Sequence, residues 1–200
     1  MKDQKKMISK YDRLQAIINI ATIFLGIIVV GIVFYGGIFK ILNSDFPIDS
    51  FIVKKYLSCY IVMLLFVIFN IIDVFIKKNI CNIFTALSAM FLFAHTFRIC
   101  LLCCDLPMNR LISYIITVVA FFVLSICCFL QVDAISVWNL NFVNKFSVVS
   151  LTILFVCSML LYIFKNYNSI ILVDCCFAIY TLKCTSNYIR LKERKKYETI

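Results

Sequence analysis

Long apolar runs constrain the fold of this chain more than any other feature of its sequence. The first extends from Ala16 to Phe39, and five comparable segments follow it. A helix needs roughly 20 consecutive apolar residues to cross the hydrocarbon core of a bilayer. The runs do not alternate between apolar and polar residues, as the strands of a transmembrane barrel do over about 10 residues. The sequence therefore predicts an all-α, polytopic integral membrane helix bundle.

The composition excludes an ordinary soluble globular protein. Hydrophobic residues account for 64% of the 200-residue chain, and its mean hydropathy is +1.01. A soluble domain is about half apolar, and a soluble fold of this length lacks the interior volume to bury so many apolar side chains. Much of the apolar surface is therefore expected to face lipid.

Six membrane spans are predicted, with four or five as alternatives. The sixth segment is less apolar and contains Asp174 and Lys183, so a helix that lies in the membrane interface is its alternative. The whole chain is expected to form a single membrane domain with short loops. The predicted spans are 16–39, 57–76, 80–102, 111–132, 146–164 and 170–189.

Positive charge is concentrated at the two ends of the chain. The net charge is +10, and basic residues cluster in 1–13 and 190–200. Basic flanks beside spans are typical of the cytoplasmic side, so both termini are predicted to be cytoplasmic, which requires an even number of crossings. The basic ends are also expected to contact membrane lipids through anionic headgroups, at about 1 kcal/mol per charge. A nucleic-acid partner is not predicted.

The first span carries a stripe of small and polar residues, and all four glycines of the protein lie in this span. Such residues let a second helix approach closely, so the stripe is predicted to pack against the rest of the bundle. The alternative is that glycine is simply common in membrane spans. At about 100° per residue, one stripe contains Asn19, Thr22, Gly26, Val29, Val33 and Gly37.

The eleven cysteines are dispersed along the chain and do not indicate a metal site or a disulfide framework. Zinc sites need cysteines and histidines at close spacing, and the chain has a single histidine. Buried thiols in a membrane span behave as small apolar residues. No metal and no cofactor are predicted.

His95, Arg98 and Asp174 are the intramembrane ionisable residues that most need an explanation. Arg98 lies four residues, roughly 6 Å, before the outer end of the third predicted span, and Asp174 lies at a matching depth in the sixth. Arg98 either extends to the outer headgroups or pairs with Asp174 to fix the helix order. The third alternative is that all three residues line a polar cavity that binds an anion, a proton or a small solute.

Three further charged residues fall near the cytoplasmic third of the predicted spans: Asp73, Asp133 and Lys183. We interpret them as helix-end anchors. The long stem of Lys183 allows its amino group to reach the membrane interface.

No enzyme is predicted, because the chain contains no G-x-S-x-G, H-E-x-x-H or Walker sequence. The first hypothesis is a non-enzymatic multi-pass membrane protein that packs beside other membrane proteins as an accessory or scaffold component. The second is a small transporter or channel subunit for a solute, an ion or protons, which uses the Arg98, His95 and Asp174 level. The usage of cysteine, isoleucine and asparagine favours a eukaryotic endomembrane.

Overall fold

The structure is a computed structural model that describes residues 2–39, 42, 51–76, 79–102, 107–133, 140–165 and 167–198. Nearly all of these residues are helical and none belongs to a strand. The predicted all-α helix bundle is therefore confirmed. The helices are α1 Lys2–Ile32, α2 Phe51–Ile76, α3 Asn79–Leu102, α4 Met108–Asp133, α5 Leu140–Ile163 and α6 Tyr167–Glu198.

Each helix contains a stretch that is long and apolar enough to cross a membrane, so the chain is an integral membrane protein with six candidate spans, as predicted. The predicted bounds differ from the observed ones most in the first span, 16–39 against 12–35, where α1 continues into a π-helical segment. The spans are Asp12–Tyr35, Leu57–Ile76, Ile80–Leu101, Met108–Val132, Lys145–Ile163 and Ser169–Ile189.

The sixth helix lies at the centre of the bundle. It packs against α1, α2, α4 and α5, and 56% of the most apolar stretch of its span is buried, against 22% for the first span. This position explains why the sixth span has the lowest hydropathy of the six. A helix surrounded by other helices presents less surface to lipid and needs fewer apolar side chains. This burial within the bundle favours a span over a helix that lies in the membrane interface.

Large apolar side chains fill the interior between the two ends of the bundle. They come from α2 to α6, and they interlock as packed side chains do in membrane helix bundles. The interior therefore holds a closed apolar core. The largest of these side chains, none more than 1% exposed, are Tyr60, Met63, Phe66, Leu92, Phe121, Leu124, Leu154, Leu161 and Ile179.

Short connections join several of the helices. The carbonyl of Pro107 accepts hydrogen bonds from the backbone N–H groups of Arg110 at 2.8 Å and Leu111 at 3.2 Å, which starts α4. Between α5 and α6, Lys165 has a φ of 53°. This left-handed conformation ends α5 and reverses the chain into α6.

The ends of α1 and α6 lie together, because Gln15 Nε2 donates a 2.7 Å hydrogen bond to Ser186 Oγ. We call this end of the bundle, where the first span begins and the sixth span ends, the terminal end. Both helices continue beyond their spans there, α1 back to Lys2 and α6 on to Glu198. The two basic segments of the sequence therefore extend from the same end of the bundle.

Candidate functional site

The structure does not join His95, Arg98 and Asp174 into one cluster. Asp174 accepts hydrogen bonds from the hydroxyl groups of Ser158 and Tyr162 on α5, the second at 2.9 Å. His95 lies beside α2, where its Nδ1 is 3.4 Å from Ser58 Oγ. Asp174 and His95 thus face two different neighbouring helices.

Arg98 lies on the exposed surface of α3, and it forms no ion pair with any residue that the structure describes. The alternative in which Arg98 pairs with Asp174 is therefore not found among the described residues. The reason is local: Asp174 turns towards its hairpin partner α5, whose two hydroxyls satisfy the carboxylate. Arg98 is three residues from the end of its span at Leu101, about 4.5 Å along the axis. A side chain of this length is able to extend to the membrane surface from there, as the first alternative requires.

The predicted stripe on the first span lies on the inner face of α1, as far as the structure describes it. Thr22 is buried and donates to the Ile18 carbonyl at 2.8 Å, and Asn19 is half-buried and accepts from Gln15 Nε2 at 3.0 Å. A Cβ at Gly26 would lie 2.6 Å from Ile71 Cδ1 on α2. The surroundings of Gly37 lie outside the described residues. The opposite face of α1 is exposed at Ile17, Ile20, Phe24 and Ile27.

A second polar group, which the sequence interpretation missed, lies inside the terminal end of the bundle. We call it the polar layer. It brings together residues from four helices whose positions are far apart in sequence. Its members are Asp73 of α2, Thr85 of α3, Cys128 and Gln131 of α4, and Tyr180, Lys183 and Cys184 of α6. Asn82 of α3 is buried one helical turn from Thr85.

Lys183 is the central residue of the polar layer. Its side chain is only 7% exposed, and its Nζ donates a 3.4 Å hydrogen bond to Thr85 Oγ1. Asp73, also 7% exposed, and the Cys128 thiol are close enough to Lys183 for electrostatic interaction. The interpretation of Lys183 and Asp73 as helix-end anchors is therefore wrong. α6 directs this amino group into the bundle because the helix is enclosed on several sides.

Gln131 connects α4 to α6 within the polar layer. Its Nε2 donates to Tyr180 Oη and to Cys184 Sγ, each at 3.3 Å. The side-chain oxygen of Gln131 is buried and has no hydrogen-bond partner among the described residues. The same is true of the side-chain oxygens of Gln15, Asn70 and Asn82. A buried polar atom without a partner costs about 1–3 kcal/mol.

A signal for the polar layer is present in the sequence of the sixth span. Tyr180, Lys183 and Asn187 are spaced by three and four residues, so they lie along one side of the helix. A span with its polar residues on one side is expected to turn that side into a bundle. The spacing identifies the inward side of α6, but it does not identify Asp73 or Thr85 as the neighbours.

The nine cysteines that the structure describes are free thiols, and most of them are buried. Cys103 and Cys104 lie outside the described residues. Within the described part of the chain, no three residues of the histidine, cysteine and acidic types are arranged to hold a metal ion. The interactions described in the polar layer are hydrogen bonds and the electrostatic interaction of Lys183 with Asp73 and Cys128.

Comparison with family models, with curated proteins and with solved structures finds no match to this chain. Two features define the candidate site within the described part of the chain: a lysine buried within the span of a membrane helix, and buried amide oxygens without partners on the neighbouring helices α2, α3 and α4. Ionisable residues inside a membrane protein mark functional or structural sites because they are costly to bury.

Proposed function

We propose that this protein is a non-enzymatic multi-pass membrane protein that acts as an accessory or scaffold component of a membrane complex. The observation that carries the proposal is the closed apolar core between the two ends of the bundle. Met63, Phe66, Leu124 and Leu154 are each at most 1% exposed. An interior filled in this way supports a packing role better than a continuous path for a solute.

The outer surface of α1 supports the same proposal. Phe24 and Ile27 are 66% and 62% exposed, and they belong to the helix whose span has the smallest buried share in the bundle. The inner face of the same helix packs closely through Gly26. One side of α1 is thus available for a further membrane helix, and lipid is the alternative occupant.

A photoreactive residue placed at Phe24 or Ile27 tests this proposal in native membranes. We expect both positions, which lie three residues apart on one face, to give the same crosslinked protein of defined mass. Photoreactive residues at Val148 and Val149, on the exposed surface of α5, provide the comparison with another lipid-facing surface. Absence of a protein adduct from all four positions would contradict a scaffold role.

We further propose that the protein resides in a eukaryotic endomembrane with both termini in the cytoplasm. The basic segments 1–13 and 190–200 support this orientation, because cytoplasmic flanks are enriched in lysine and arginine. Epitope tags at the two ends should both become accessible when only the plasma membrane is permeabilised. A tag that remains protected at either end would overturn the orientation.

A second candidate function is transport of ions, protons or a small solute, and the burial of Lys183 beside Asp73 favours it. Purified protein reconstituted in vesicles distinguishes the two candidates. The accessory role predicts no flux of protons, potassium or chloride above that of empty vesicles. A flux that disappears in the Lys183→Met variant would support transport and would contradict the purely accessory role.

A further inference from the structure

The two buried charges of the polar layer attract each other without touching. Lys183 and Asp73 interact electrostatically, but they form no direct salt bridge in the described structure. Among the described residues, the only hydrogen bond of the Lys183 amino group is the 3.4 Å contact to Thr85. An ammonium group has three N–H donors, so most of its hydrogen-bonding capacity is free for another partner.

The amide oxygens without partners lie next to the neighbours of Lys183 on three different helices. Asn70 is three residues from Asp73 on α2, Asn82 is three residues from Thr85 on α3, and Gln131 is three residues from Cys128 on α4. Residues three apart are adjacent on a helix surface. On each of α2, α3 and α4, an amide oxygen without a partner thus lies one helical turn from the residue that interacts with Lys183.

The charges and the acceptors together select the ligand. A cation is repelled by the Lys183 ammonium, and an anion is repelled by the Asp73 carboxylate and by the amide oxygens. A neutral molecule that both donates and accepts hydrogen bonds meets all of these groups. Water has this chemistry, and a buried water in a protein forms about three hydrogen bonds to polar groups that otherwise lack partners.

We propose that the polar layer is an internal hydration site, in which bound water molecules bridge the Lys183 ammonium to the Asp73 carboxylate and to the free amide oxygens. Gln131 and Asn82 lie one and two residues from the ends of their spans at Val132 and Ile80. The site therefore hydrates from the terminal end of the bundle. The apolar core closes it on the other side. This inference holds for either candidate function.

Hydroxyl-radical footprinting of the full chain in lipid nanodiscs tests the proposal, because radicals formed from bound water oxidise the side chains beside it. Tyr180 and Tyr60 are each 1% exposed, and Cys128 and Cys59 are 2% and 1% exposed. These two pairs are matched in chemistry and in burial. We expect Tyr180 and Cys128 to be oxidised at least several-fold faster than Tyr60 and Cys59.

Met63 reports whether water passes beyond the polar layer, since it is fully buried in the apolar core and its thioether is readily oxidised. We expect Met63 to remain unmodified while Tyr180 is oxidised. Equal rates at Tyr180 and Tyr60 would overturn the hydration site. Oxidation of Met63 as fast as that of Tyr180 would overturn its one-sided closure.

A variant provides a second measurement. Asn82→Leu removes one of the free oxygens and replaces it with an apolar side chain of similar size. We expect oxidation of Tyr180 to fall to half of the wild-type rate or less, because the bound water loses one of its acceptors. A cooperative thermal transition of Asn82→Leu shows that the variant is folded. An unchanged oxidation rate in a folded Asn82→Leu variant would contradict the bridging role.

Discussion

Gly26 on α1 and Ile71 on α2 lie so close that a Cβ added to the glycine would be 2.6 Å from Ile71 Cδ1 and 2.8 Å from its Cγ1. The two helices therefore meet at a contact that only glycine permits without displacement of the isoleucine. Gly31 provides the natural comparison, because a Cβ built there meets nothing within 4 Å.

Replacement of Gly26 by alanine is expected to destabilise the bundle by about 1–3 kcal/mol, the usual cost of excess volume at a packed contact. Gly31→Ala should change the stability by no more than about 0.5 kcal/mol. Thermal unfolding in detergent measures both, followed by the reaction of buried cysteines with a thiol dye. The Gly26→Ala/Ile71→Ala double variant should recover part of the loss, and equal effects of the two glycine variants would contradict the contact.

Ser158→Ala is expected to destabilise the α5–α6 hairpin by about 1 kcal/mol, because the Asp174 carboxylate loses one of its two donors. Ser88→Ala is the matched control. Ser88 and Ser158 are both 5% exposed, but Ser88 donates only to the Phe84 carbonyl of its own helix. Thermal unfolding should show a larger loss of stability in Ser158→Ala than in Ser88→Ala. An equal loss of stability in the two variants would contradict the hydrogen bond between α5 and α6.

Arg98→Leu is expected to leave insertion unchanged and to alter the stability by no more than about 0.5 kcal/mol. Arg98 is exposed and has no ion pair among the described residues, so its removal leaves no buried charge unpaired. Asp174→Leu, by contrast, removes the acceptor of two hydroxyl groups and should lower the unfolding temperature. Loss of assembly in Arg98→Leu would show that the guanidinium has a structural partner.

Lys165→Gly is expected to raise the stability by about 1 kcal/mol. Lys165 has a φ of 53°, a left-handed conformation that costs about 1 kcal/mol or more in a residue with a side chain and little in glycine. Lys165→Val should act in the opposite direction, because β-branched residues tolerate this conformation poorly. The unfolding temperature should therefore be highest with glycine at position 165, lower with lysine and lowest with valine. Any other order would contradict a cost of the left-handed conformation at this position.

The number and position of the helices follow from the sequence because lipid offers no hydrogen bonds to the backbone. Each long apolar run must satisfy its own N–H and C=O groups, and a helix does so within a single segment. The apolar run near 57–76 and the break that follows it are local features, and the structure places a span at Leu57–Ile76. The inner stripe of α1 could also be predicted from the sequence, because Thr22 and Gly26 are neighbours on one helix.

Depth in the membrane also follows from position along a span, but the direction in which a side chain points does not. Arg98 and Asp174 were matched in depth from sequence alone, yet Asp174 turns towards Ser158 and Tyr162 on its hairpin partner. Lys183 was assigned to the interface for its long stem, and it lies buried beside Thr85.

The sequence by itself determined that the chain folds in a membrane, where its helices lie and in which order they follow one another. These properties depend on interactions within one segment. Only the tertiary structure decided that α6 lies at the centre, and hence that its lysine meets residues from α2, α3 and α4. Rotation of a helix about its axis depends on the packing of all its neighbours at once. That packing joins residues as distant in sequence as Thr85 and Lys183.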